Sequence, residues 1–396
     1  MGEPADVSGY EAPPLARLGS LTFFTGVAAL GICAIGGFFS PAQFFHSYLV
    51  AFVFWAGMAL GCLSIVMLQY LTGGAWGLVL RRVLESGTRT LPLVALLFLP
   101  ILFGLGRLYE WSHAEEVAHD PLLSHKAAYL NVPFFIGRTI FYFAAWLAVA
   151  YFLNKWSLEQ DRGGDRRLSR KLQLLSSGGI VLYGLTVTFS SIDWVMSLEP
   201  HWYSTMFGVL FIAGQGLSAL AFVVAVTILL ARRQPMRDVV SAKHLHDWGK
   251  LLLAFVMFWS YVSFSQYLII WAGNLPEEIP WYLKRLQGGW GWIGLALILF
   301  HFLLPFLLLL SRTGNENPRL LAFVAGLVVL MRLVDVFWLI APVFSQSEVH
   351  LHWMDILAPI GIGGLWLAVF LGQLRKRPLL PVGDPHLQEA LEHGTH

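Results

Sequence analysis

Five ionisable side chains lie within or at the ends of long apolar runs in this 396-residue sequence: Arg138, Asp193, His301, Arg332 and Asp335. An ionisable residue in a membrane span costs a few kcal/mol on insertion scales, so each is a candidate for function. Arg138 falls ~9 Å into its run at ~1.5 Å per residue. His301 stands in FHFLLPF, one turn before Pro305. Arg332 and Asp335 are spaced i, i+3, which puts them on one helix face where they can pair. Arg107 and Glu110 repeat that spacing near the end of an earlier run. Asp193 closes a run and opens the link FSSIDWVMSLEPHWYSTMFG (189–208), which also carries His201 and Pro200. Membrane proton relays use Asp, Glu and His in this way. A cluster of Arg138, Asp193, Arg332 and Asp335, with His301 deeper, would suit that chemistry. Continuation toward the other face would run through Tyr183, Thr186, Ser260, Ser263 and Gln266. The plainer alternative is that the Arg–Asp pairs neutralise each other and hold helices together.

The elements that must position these residues are transmembrane helices. Hydrophobic residues make up 57% of the chain and charged residues 13%, against roughly 25% charged in soluble domains. Ten runs meet or approach the ~20 apolar residues that a spanning helix needs: 20–39, 48–71, 91–108, 132–153, 173–192, 204–231, 249–272, 289–311, 319–341 and 352–374. They are continuously apolar rather than alternating, which excludes a β-barrel. The expected fold is therefore all-α and polytopic.

Charge sets the orientation. Arg17, the Arg81, Arg82 and Arg89 group, the 155–171 and 232–250 loops, Arg312, Arg319 and 375–377 all fall on the side of the termini. The opposite loops hold only Lys126, Lys284 and Arg285. The positive-inside rule then puts both termini in the cytoplasm. The first 19 residues read as a cytoplasmic segment. Residues 375–396 read as a cytoplasmic tail whose composition is open to disorder. The 160–171 loop carries a Gly163-Gly164 break.

The 109–131 loop carries Glu110, His113, Glu115, Glu116, His119, Asp120 and His125 in no trusted ligand spacing, so a solvated or partner-docking loop is expected there rather than a metal site. Cys33 and Cys62 sit in apolar runs and suggest neither a disulfide framework nor a metal site. Bis-histidine haem is not indicated, because only His301 is deep enough. The basic residues lie in loops, so no nucleic-acid partner is implied. Runs two to five and six to nine match in length and loop pattern, and each set ends on a late aspartate, Asp193 or Asp335. That pattern suggests two parallel four-helix bundles, about 48–192 and 204–341, plus two further helices.

Four stretches carry a resemblance: YLNVPFFIGRTIFYFAAW (129–146), the 189–208 link, FHFLLPFLLLLSR (300–312) and RLVDVFW (332–338). They are similar to membrane subunits of alternative complex III, within the wider NrfD/PsrC-like family. Length and span number resemble the F-type subunit (ActF), a paralogue of the longer C-type subunit (ActC). The likeness covers roughly residues 45 to 375 and is most specific at DWVMSLEPHWYS. It implies a subunit of a quinol:cytochrome c or quinol:blue-copper-protein oxidoreductase in a bacterial inner membrane. Such a subunit is not catalytic alone and binds no redox cofactor of its own. Haem c and iron–sulfur clusters would belong to partner subunits, alongside the C-type paralogue. The resemblance carries Asp193, His201, Arg138, His301, Arg332 and Asp335 over to a proton pathway or a quinol (menaquinol) region. Arg107 and Glu110 join them by their spacing. The rival readings are a secondary transporter, which would need facing broken helices with Pro305 as one break, and a purely structural anchor.

Overall fold

The computed structural model describes residues 13–163, 166–311, 316–345 and 348–388. The N-terminal segment to residue 12, Gly164, Arg312 and the tail beyond 388 lie outside the described residues. Among the described residues there is no strand, and ten helices are long and apolar enough to cross a membrane. They are α1 (Leu15–Phe39), α2 (Pro41–Thr72), α3 (Arg81–Phe103), α4 (Val132–Arg162), α5 (Arg167–Leu198), α6 (Phe207–Leu230), α7 (Ala242–Gly273), α8 (Trp290–Leu310), α9 (Pro318–Val343) and α10 (Trp353–Leu374). The chain is an all-α polytopic membrane protein.

Most helices run past the apolar stretches, because a helix continues through polar turns wherever those turns stay paired. The expected third span, 91–108, differs most. It begins ten residues earlier, at Arg81, and its apolar part is segmented around Pro92, Pro100 and Gly104. Arg81, Arg82 and Glu85 were expected in a loop and are instead almost fully buried. Before them, Gly73 and Gly74 adopt positive φ (66° and 89°). Only glycine takes that region without strain, and it lets the chain turn out of α2 and back into the protein.

Helices α2 to α5 form one ring, with α2 against α3, α3 against α4, α4 against α5 and α5 back against α2. Helices α6 to α9 form a second ring with the same path. The rings meet through α2 on α6. The flanking contacts match in pairs, α5 touching α6 and α9 touching α2. Helices α1 and α10 pack tightly on each other and join the assembly chiefly through α2.

Small residues set the central crossing. Gly57 and Gly61 of α2 form a GxxxG pair facing α6. A Cβ on Gly61 would strike the Gln215 backbone carbonyl, and one on Gly57 would sit 3.3 Å from the Gln215 side chain. Without a hydrophobic drive between helices inside lipid, such close backbone approach is what holds the crossing. Gly26 of α1 against Gly361 and Gly364 of α10 does the same for the flanking pair. Gly61→Leu should lower the melting temperature of the detergent-solubilised protein clearly, since overpacking costs about 1–3 kcal/mol. Gly31→Leu should not, because no atom lies within 4 Å of that position. Equal melting of the two variants would contradict the assignment of the crossing.

Candidate functional site

In the first bundle the site is built on Asp193, fully buried in the last turn of α5. A carboxylate at a helix C-terminus opposes the helix dipole and needs a cation. Arg138 of α4 supplies it in fork geometry, Nε to Oδ2 at 2.8 Å and Nη2 to Oδ1 at 2.9 Å. The Tyr142 hydroxyl donates to the same Oδ2 at 2.8 Å. The remaining arm of Arg138 donates to the Tyr129 carbonyl, and its guanidinium stacks 3.8 Å from the Tyr129 ring centre and 4.3 Å from that of Phe134. One helix position further on, Trp194 turns the other way into Phe52, Phe98 and Phe143. The Asp-Trp dipeptide thus splits charge from the aromatic core.

The second bundle does its pairing differently. Arg332 and Asp335 form an ion pair within α9, as their spacing predicts, and both are buried. The guanidinium occupies the space where a side chain at Gly214 of α6 would stand, and it lies over the Phe211 ring. His301 of α8 is fully buried, its ring edge-on to Trp259 of α7 at 4.2 Å. It sits in a π-helical segment, Leu297–Leu303, that precedes Pro305. The helix therefore widens and continues at Pro305 and does not break. Such π segments recur at functional sites. Neither His301 nitrogen has a hydrogen-bond partner, and the Trp259 indole N–H points toward Asp335 without closing a bond. Buried polar groups are nearly always satisfied, so these atoms stand out among the described residues.

The two pairs do not form one cluster; they lie in separate bundles. A line of neutral groups runs between them. Tyr183 of α5 donates to Gln215 of α6 at 2.8 Å, and Gln215 adjoins the Gly214 notch that holds Arg332. Trp146 donates to Thr186 at 2.8 Å and stacks on Tyr142. Tyr183 and Thr186 thus lie at the seam between the bundles. Gln266 does not: it bonds Ser204 and Tyr282 at the face opposite the termini. Ser263 is near the middle of α7 with an unpartnered hydroxyl.

Other expected positions move out of the site. His201 is exposed and pairs with Asp120 at 2.5 Å in the loop region. Arg107 and Glu110 make no ion pair, because the helix ends at Leu108 and Tyr109 is extended (φ −124°, ψ 118°). The link as a whole instead clamps the loops of the opposite face. Glu199 pairs with Lys284 and with buried Arg285, each at 3.0 Å. Trp202 stacks on Trp281 at 4.7 Å, and Lys126 donates to the Pro200 carbonyl. Burial lowers the Arg285 guanidinium to about 10, against the opposing charge of Glu199. No group of three or more His, Cys, Asp or Glu side chains able to hold a metal occurs among the described residues.

Sequence reasoning missed a buried ionic network at the face of the termini. Arg82 pairs with Glu85 at 2.7 Å and with Asp161, while Ser157 donates to Glu85 at 2.5 Å. Arg81 pairs with Asp384 at 2.5 Å, and Arg377 reaches Glu85 at 3.5 Å. The described part of the tail is therefore packed down, contrary to the expectation of disorder. The available signal was the i, i+3 spacing of Arg82 and Glu85 beside a second arginine.

Compared with models of known protein families and with curated proteins, the chain matches none.

Removing one partner of a buried pair strands the other charge and costs about 3–5 kcal/mol, whereas replacing both with apolar groups is often neutral. Arg138→Met and Asp193→Leu should each lower the melting temperature sharply, and the double variant should recover most of the loss. A double variant as unstable as the singles would show that the pair is not the reason either charge is tolerated. In the loop, partial desolvation pushes the Asp120 carboxyl up, but hydrogen bonds from His201 and the Leu122 and Leu123 amides hold it below the usual aspartate range. Its contribution to docking should be complete above the ordinary aspartate pKa and lost as pH falls through the lowered value. Proteolysis of the 109–131 loop against pH should show this acid limb, and Asp120→Asn should abolish it.

Proposed function

We propose that the chain is an integral-membrane subunit of a quinol:electron-acceptor oxidoreductase of the alternative complex III type. It lies in a bacterial inner membrane with both termini cytoplasmic, and it acts only within its complex. Its role is to carry protons between the face opposite the termini and the bundle interior, and to scaffold a C-type sister subunit. Iron–sulfur and haem c partners perform the electron transfer.

The observation that carries the proton role is the pair of buried carboxylates, Asp193 and Asp335, each near the same end of the last helix of its bundle. The neutral groups Tyr142, Thr186, Tyr183 and Gln215 lie between them, Tyr142 bonded to Asp193 and Tyr183 to Gln215. His301 adds a ring that can accept at one nitrogen and donate at the other. Fixed pairs alone would serve an anchor equally well. The unpartnered nitrogens of His301 favour a route, since an anchor gains nothing by leaving them open. A transporter would need facing broken helices at mid-membrane. Helix α8 passes Pro305 through its π segment without such a break.

Mild-detergent purification from native membranes, with mass spectrometry and a visible spectrum, tests the complex. Haem c and iron–sulfur subunits should co-purify, and a lone colourless chain would move the weight to a transporter. Within the complex, Asp335→Asn and Asp193→Asn should lower protons released per electron in reconstituted vesicles. That ratio is insensitive to how much complex assembles. An unchanged ratio would reduce the chain to an anchor.

A further inference from the structure

A slot opens on the lipid-facing side between the α1/α10 pair and helices α2, α8 and α9. Its apolar part, about 780 Å³, is walled by Phe54, Trp55, Leu333, Phe337, Ile356 and Ile360. Toward the face opposite the termini it meets a second cavity of about 500 Å³ bordered by Gln43, His46, Arg107 and Asp355. Val50, Phe337 and Asp355 border both, so the polar mouth and the apolar shaft lie side by side. Lower down, Trp366 and Phe370 of α10 pack against Phe222 of α6. From Asp355 to Leu367 the shaft follows α10 for ~18 Å at ~1.5 Å per residue, about the ~15 Å depth of one leaflet's hydrocarbon.

The mouth holds two opposite charges that do not satisfy each other. Asp355 accepts from Ser47 at 2.5 Å and Gln43 at 3.2 Å on one oxygen, and from the His352 amide at 2.9 Å on the other. These donors are neutral, and no cation among the described residues lies within ion-pair distance of it. Arg107 likewise has no anionic partner among the described residues, its expected mate Glu110 having been turned away by the extended Tyr109. The ring of His46 lies against the Arg107 backbone and stacks on Phe344 at 3.6 Å.

We propose that this slot is a binding site for a zwitterionic phospholipid bearing a primary ammonium, such as phosphatidylethanolamine. The phosphate meets Arg107, the ammonium donates to Asp355, and one acyl chain fills the shaft between the flanking pair and the second bundle. An anionic lipid without the amine would leave its phosphate facing the Asp355 carboxylate. A choline headgroup has no N–H to donate. The site is independent of the proton route proposed above, and it does not draw on any of the same side chains.

The test is native mass spectrometry of the purified protein after exchange into bilayers of equal parts phosphatidylethanolamine, phosphatidylglycerol, phosphatidylcholine and a long-chain isoprenoid quinone. Phosphatidylethanolamine should be retained over each of the others by about tenfold, the ratio given by one good charge contact. Asp355→Asn should erase the preference over phosphatidylcholine. Arg107→Gln should weaken all three phospholipids alike, and it stays informative if the Asp355 variant fails to fold, because Arg107 caps no helix. Phe323→Ala, on an exposed part of α9 away from the slot, should change nothing. Equal retention of the three phospholipids, selective retention of the quinone, or indifference to Arg107→Gln would each overturn the proposal.

Discussion

The contact on which the rest of this structure depends is the approach of Gly61 in α2 to the Gln215 carbonyl in α6. It fixes how close the two bundles come. Three consecutive residues of α6 then divide the seams among themselves. Gly214 leaves room for the Arg332 guanidinium, Gln215 presents its backbone to α2 and its side chain to Tyr183, and Gly216 receives Phe255 of α7. A side chain at 214 would expel a buried charge, and one at 61 would part the bundles. The polar line between the two aspartates exists because the crossing is this tight.

The two bundles share a path but not a chemistry. In the first, Asp193 takes its cation from a neighbouring helix and uses both oxygens, so the site is closed and saturated. In the second, Asp335 takes its cation from its own helix one turn away. Pairing within a helix leaves the Trp259 indole of α7 beside Asp335 and both nitrogens of His301 in α8 without hydrogen bonds. One bundle is locked by its charges and the other keeps open valences.

Helix number and the Arg332–Asp335 pair were legible in the sequence because apolar length and i, i+3 spacing are local properties. Arg138 and Asp193 were legible as candidates, but their mutual contact was not, since 55 positions separate them. The Arg107–Glu110 pairing failed for a local reason that spacing cannot show: the helix stops between them. His201, carried over to the site by resemblance, is turned to the surface, where it pairs with Asp120, the residue that caps the loop helix. The largest miss, the Arg81–Arg82–Glu85 turn, arose because hydropathy treats any charged turn as loop. Mutually neutralising charges can instead be carried inside the protein, with side chains from α4 and from the tail completing the network.

That buried network constrains any route across the membrane. Along α4 the polar positions Arg138, Tyr142 and Trp146 stop, and the next, Asn154, begins the network with its bond to Thr88. Eight residues separate Trp146 from Asn154, ~12 Å of helix. That layer is filled by Val149, Leu153 and Met67, all buried. An indole can donate a proton hydrogen bond but cannot accept one, so Trp146 ends a relay as well as the apolar layer does. Along α4, the polar residues at the two faces are therefore separated by an apolar layer.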